Sequence, residues 1–518
     1  MERRALLRSL GVATAGTALG LSASSAQATR TTAQESYEPL GVVDVDGACE
    51  AVVGDDGETV YIAAIDGFVT VDISDPSDPT ILADRRNLLE DDYPEFSDIL
   101  DVKVSGDRLA VVGPGGVNPS LFNGFVLYDV SDPADPVQVS EPYETGYHIH
   151  NCFLEDDRLY LVANDLEENP LAIFDVSDDE PEEVGRWSLL EHEPRWADVS
   201  PYIWYLHDVY VQSGIAYLAY WNAGTYLLDV SEPADPTYLS HVTETTVESQ
   251  LEIDEGEESD YQLGLPGNDH YSAVDDTGTI LAVGREAWET DAPEADGPGG
   301  IDLFDVSDPT DPVFAASIEA PDSPDATYQG GQWTTAHNFE IRDGWLYSSW
   351  YQGGVTIHDL SVLEEPEEIT AWRDPTAAGF WTARVAQSGE TFVASSTPLI
   401  PGAGIDGALY VFPSEPGEQV DPPAFEEADD TDDSGVDTGD GDDTGESDED
   451  QSGDDDTGDT DETTDADDSS GTAPAADDTT EDDPIPGFTS LATATGIAGG
   501  VAALERRRRT RTENSEND

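Results

Sequence analysis

Apolar and polar positions alternate in short runs over most of the chain. HNCFLEDDRLYLVA (150–163) and HDVYVQSGIAYLAY (207–220) align without a gap, each as two alternating runs joined by a polar turn. Alternation with a period of two predicts half-buried strands. A third run leads into an aspartate, as in LAIFDVS, TYLLDVS and IDLFDVS, and a fourth follows it, as in PVQVSEP and PVFAASIEA. Between them lies a Ser-Asp-Pro-x-Asp-Pro segment. Its Asp and Ser side chains bond nearby backbone N–H groups and its Pro fixes φ, so it reads as a turn.

The unit recurs. Its leading aspartates are Asp72, Asp129, Asp175, Asp229, Asp305 and Asp359, and a seventh copy, YVFPSEPG (410–417), lacks the acid. Four strands in series, repeated at intervals near 50 residues, predict an all-β chain folded as a seven-bladed β-propeller. The seventh unit has three strands and no fourth. EPLGVVDVDG (38–47) reads as a lone fourth strand, so an N-terminal strand completing the last blade is expected to close the ring and remove its open edges.

The D-V-S-D-P-x-D-P turn and the strands around it resemble the LVIVD-repeat family of cell-surface β-propellers, over about 37–415. The resemblance implies the fold and a place at the cell surface. It implies no particular chemistry, since the family has no single established activity.

The two ends differ from this body. Residues 1–28 carry Arg3-Arg4, an apolar run and Ala26-Gln27-Ala28, which resemble a twin-arginine signal peptide with its cleavage site. Residues 416–484 are Asp, Thr, Gly and Ser with no Lys or Arg, a composition expected to form a disordered, self-repelling linker. Residues 485–518 hold Pro486-Gly487-Phe488, an apolar run of about 16 residues and Arg506–Arg509. They resemble the tail that archaeosortases cut and replace with lipid. The run is short for a membrane span, which needs about 20 residues. A plain tail anchor at the membrane is the alternative.

Charge changes the picture once more. The chain has 113 acids against 20 bases, and 28 of the acids lie within 426–484. Most of the others are spread over the body, where Lys103 is the only lysine. Self-repulsion of this size is relieved when molar salt shrinks the Debye length to about 3 Å, so a halophilic protein is expected. Binding of nucleic acid is disfavoured.

Aligning the repeats exposes candidate chemistry. The first position of the innermost strand reads Cys49, Leu100, His150, His207, His270, His337, then Thr382 or Trp381. Four of the eight histidines share one repeat position and should ring the channel mouth. Either they bond backbone of neighbouring blades, or they bind a transition metal, which imidazole suits. Asp208 and Asn338 adjoin two of them but, by strict alternation, should point to the opposite strand face. Cys49 and Cys152 are expected as free, buried thiols. The repeated Asp turns are read as turn chemistry rather than calcium loops, since they lack the loop's Gly and terminal Glu. Every long insertion falls in a second-to-third loop or a blade-to-blade crossing, and in a propeller these share one face. Trp196, Trp204, Tyr205 and Trp333 lie in those insertions and are the candidate ligand-face aromatics. The function expected is a surface module that binds a protein, glycan or polymer through the loop-rich face. The alternative is a metal-dependent enzyme, a redox enzyme among the options, built on the histidines.

Overall fold

The computed structural model describes residues 36–89, 93–254, 256–292 and 297–425. The signal-like segment 1–28, the acidic stretch from 426 and the tail 485–518 lie outside the described residues.

Seven antiparallel sheets follow one another along the chain, each with its first strand innermost. The inner strands are Ala51–Val53, Asp101–Ser105, Cys152–Glu155, Asp208–Gln212, Asp269–Val274, Phe339–Arg342 and Phe380–Gln387. Blade 2 departs from four strands by splitting its outer edge into Val137–Gln138 and Tyr143–Glu144. Short helices, absent from the sequence reading, occupy the crossings before and after blade 4: Leu189–His192, Val247–Gln250 and Glu258–Leu263.

The ring closes as the repeat count predicts. Gly41–Asp44 pairs antiparallel with Ala408–Pro413, in the register Gly41↔Val411 to Asp44↔Ala408. Tyr37 and Glu38 extend the seam, the first through its hydroxyl to the Pro413 carbonyl (2.6 Å), the second by accepting the Trp372 indole N–H (3.0 Å). The polar stretch expected to be linker from 416 is tied down further than its composition suggests. Glu418 O accepts the Tyr37 N–H, Gln419 bonds Arg373, and Phe425 lies under the Arg373 guanidinium at 4.7 Å.

The recurring aspartates make turns. Asp72, Asp129, Asp175, Asp229, Asp305 and Asp359 each accept the backbone N–H two residues on, at 2.7–2.9 Å. Turns tuck against the preceding blade: Thr70 bonds the Pro133 carbonyl and Ser240 the Pro309 carbonyl, both at 2.6 Å. Gly185 permits a closer approach still, since a Cβ there would overlap Pro233 O. Gly41 stands in the same relation to Pro76 O, where a Cβ would sit at 2.5 Å. The N-terminal strand therefore joins blade 7 to blade 1 by the device that joins blade 3 to blade 4.

Candidate functional site

Three layers are stacked along the propeller axis. The first is a lid. Each of the seven long insertions sends an apolar side chain into one cluster: Phe96, Phe122, Tyr205, Leu263, Trp288, Trp333 and Ile400. Trp288, Tyr328 and Trp333 pack on one another with ring centroids 4.8–5.2 Å apart, Tyr328 stacked on Trp333 and edge-on to Trp288. Of the expected ligand-face aromatics, Tyr205 and Trp333 belong to this packing, whereas Trp196 and Trp204 sit in the core between blades 3 and 4. Trp196, Trp204, Tyr205 and Trp333 are 2–3 % exposed, and the Trp204 and Trp333 indoles bond the carbonyls of Val199 and Tyr328. Aromatic side chains bury more area than any other, and here the insertions use it to close the mouth instead of displaying it.

The histidines form the second layer, beneath the lid instead of at an open mouth. His150, His207, His270 and His337 run in an arc with ring centroids 4.1, 3.9 and 4.5 Å apart, and Trp381 continues it at 4.4 Å. All four rings are buried. The backbone-bonding reading of the repeat position holds for two of the four. His150 Nδ1 is bonded to Gly115 O (3.1 Å) and His337 Nδ1 to Trp381 O (2.5 Å), each on a neighbouring blade. The middle pair has no such anchor: both nitrogens of His207 and Nδ1 of His270 lack a hydrogen-bond partner. The four do not converge on one point. Among the described residues, the donor atoms that gather within 4.8 Å of one another are those of His270, His337 and Glu286, an acid the sequence reading missed. Burial holds His150, His270 and His337 down at about 3 and pushes Glu286 up to about 7. Removing a charged form from water favours the neutral one.

Charge fills the third layer. Glu50, Asp101, Asn151, Asp208 and Asn338 line a cavity of about 10 Å³ against the undersides of the histidines, room for about one water. Asp208 and Asn338 thus share that cavity with the rings, contrary to strict alternation. The cause is a bulge at the head of the inner strands. The His207 N–H bonds Ala219 O while Asp208 also faces Ala219. His270 and Trp381 drop out of register between their neighbours. Cys49 and Glu50 likewise share Ala63. Two residues opposite one re-aims the side chains, and consecutive positions both reach the axis.

The acids of this layer are held by two cations. Arg384 gives two N–H bonds to Glu50 Oε1 (2.6 and 3.2 Å), one to Phe339 O and one to the Tyr271 hydroxyl. Lys103 pairs closely with Asp101 and lies 3.9 Å from Glu50. Burial works against the Glu50 charge, but Arg384 and Lys103 outweigh it and keep its carboxyl below its ordinary range. Asp208 has no salt bridge among the described residues, and burial drives its carboxyl well above the ordinary range, against the pull of Lys103 and Arg384. Cys49 and Cys152 are buried free thiols.

Below the charged floor the channel opens. A funnel of about 670 Å³ on the short-turn face is lined by all seven blades, with Val52, Phe153, Val209, Tyr271 and Phe339 in its walls. Lys103 and Arg384 stand at its base.

The LVIVD-repeat sequence model matches residues 56–84 and 205–244. The chain carries LVIVD repeats. Those segments fall in blade 1 and blade 4, and the second begins at Tyr205 beside His207. A closed propeller with such repeats suggests an interaction module, by analogy of fold alone. No curated protein matches the sequence. Among solved structures, the β-propeller domain of Cps50 (Swd1) from Myceliophteria thermophila is similar at 9 % identity and TM-score 0.48, over 73 % of this chain and 99 % of that one. A candidate 6-phosphogluconolactonase from Bacteroides uniformis is similar at 11 % identity and TM-score 0.43, over 61 % and 82 %.

Proposed function

We propose that the protein is an exported, surface-anchored binding module of a salt-rich environment, and that its ligand enters the funnel on the short-turn face. One observation carries the choice of face. The seven blades shape an open concavity of about 670 Å³ there, whereas the insertions of the loop-rich face fill the other mouth with their own aromatics. Ligand pockets usually span about 300–1,000 Å³, with apolar walls and a few placed polar groups. Aromatic walls (Phe153, Tyr210, Tyr271) above an Arg–Lys–Tyr floor suit a sugar unit of a surface glycan, which offers apolar ring faces and hydroxyl edges together.

A glycan array read in molar KCl tests this, with Val209→Trp and Ala273→Trp as funnel-filling variants. Wild-type binding lost in both variants, which keep their near-UV dichroism, is the expected result. Equal binding by the filled variants would move the site to the loop-rich face, and no glycan bound by wild type would reject the ligand class. Export and anchoring rest on the two termini, and Arg3→Lys with Arg4→Lys is expected to keep the protein in the cytoplasm. Salt dependence rests on the charge, and cooperative melting is expected to disappear on dialysis into dilute buffer.

The enzyme reading has one observation in its favour, the cluster of His270, Glu286 and His337. Its side chains are only 2 % exposed, which suits a closed ion site better than a centre that admits substrate.

A further inference from the structure

We propose that His270, Glu286 and His337 bind one divalent transition-metal ion beneath the lid, joining blade 5 to blade 6. This goes beyond the binding-module reading and does not rest on it. His270 Nδ1 lies 3.0 Å from Glu286 Oε2, and His337 Nε2 lies 3.9 Å from Glu286 Oε1. Donors held about 2.0–2.2 Å from a tetrahedral zinc are roughly 3.4 Å apart, so these separations bracket the required one. The His270–Glu286 approach is close, yet His270 Nδ1 makes no hydrogen bond, and neither does His337 Nε2. Two buried imidazole nitrogens without partners, both beside one carboxylate, are costly unless something binds them.

The surroundings orient the donors. The His337 Nδ1 bond to Trp381 O fixes the proton on that nitrogen and leaves Nε2 as the electron-pair donor. The Tyr351 hydroxyl donates to Glu286 Oε1 at 2.5 Å and holds the carboxylate in place. His207 packs on His270 at 3.9 Å with both nitrogens free. A turn of that ring is the shortest route to a fourth donor. Two imidazoles and a carboxylate select zinc or iron(II) over magnesium or calcium, which prefer all-oxygen sites.

The test uses full-length protein, stripped with chelator and dialysed against ZnCl₂ in molar KCl with excess MgCl₂, so that surface carboxylates are screened and competed. One Zn²⁺ per chain and a rise in Tm are expected, because an ion bound only by the folded state stabilises it. Co²⁺ should give the visible absorption of a low-coordinate site. His270→Ala with His337→Ala should lose both the stoichiometric ion and the Tm rise. Glu286→Gln keeps the side-chain volume and should weaken binding at least ~10-fold. His207→Ala should have a smaller effect. Failure of wild type to take up stoichiometric zinc overturns the proposal, as does equal uptake by the folded double variant. If that variant does not fold, Glu286→Gln decides, and unchanged affinity and Tm rise in it overturn the proposal.

Discussion

The two mouths of the channel are built from the same seven repeats and do opposite things. At the loop-rich mouth every insertion turns inward, and seven apolar side chains meet over the histidines. At the short-turn mouth the turns are too brief to reach the axis, and a funnel remains. Long loops are commonly where binding happens. Here their length is spent on closure, and the face with the least elaboration is the one left open. Between the mouths sits a buried charged floor, in which Arg384 and Lys103 offset the desolvation of Glu50.

The comparison can be broken most severely at the seam. Deleting 37–44 removes the strand paired to Ala408–Pro413 and leaves that strand's edge unpaired. Tyr37 is buried and Val43 packs against the core at the blade 7–blade 1 seam, so a loss of roughly 2–4 kcal/mol is expected from their burial alone. The denaturant midpoint in molar salt measures it. Next, Arg384→Met leaves Glu50 buried without its main partner and should cost about 3–5 kcal/mol. Adding Glu50→Gln should recover much of that loss, which a double-mutant cycle would show. Trp333→Ala in the lid should cost a similar or slightly smaller amount, about 3–5 kcal/mol, and should also admit water to the histidine layer.

The smallest effect is on pH dependence in the metal-stripped protein. Burial lowers His148, His150, His270 and His337 to about 3 from 6.5. The unfolded chain therefore takes up these protons first, and stability present above pH 6.5 is lost as pH falls. Burial raises Glu286 to about 7 and Asp269 to about 6, so these two oppose the trend. His358, lowered to about 4, and His207, also lowered by burial, add to the loss, while Asp98, Asp101 and Asp208, raised by burial, add to the opposition; a net fall in stability below pH 6.5 is expected. A stability maximum at pH 5 would contradict it.

The fold was legible because the repeat writes it several times over. Alternation gave the strands, and the Asp-Pro turns gave the blade boundaries. The missing fourth strand of the last unit pointed to 38–47. The axis was less legible for two physical reasons. Bulges add a residue at the head of the inner strands, which alternation does not show, so Asp208 and Asn338 were assigned to the wrong face. Partners also lie far apart in sequence, as with Glu50 and Arg384, 334 positions from one another. Signals were present all the same. Lys103 is the only lysine in a chain of 113 acids and sits inside the strand DVKVS. Glu286 sits beside Arg285 in the otherwise apolar run LAVGREAW, where a charged pair marks buried partners. The aromatics of the crossings misled for a simpler reason: a tryptophan in a loop reads alike whether it faces a ligand or a neighbouring loop.

The account stands or falls on the channel being closed at one mouth and open at the other. Cys49 and Cys152 are the only cysteines and both are buried, Cys49 against the lid. Val53→Cys would add a thiol in the funnel wall. Maleimide labelling of the native protein in molar KCl, located by peptide mass, should modify the thiol at position 53 quickly and leave Cys49 and Cys152 untouched until the protein is unfolded. Labelling of Cys49 at a rate comparable to position 53, or protection of position 53 in the native state, would contradict it.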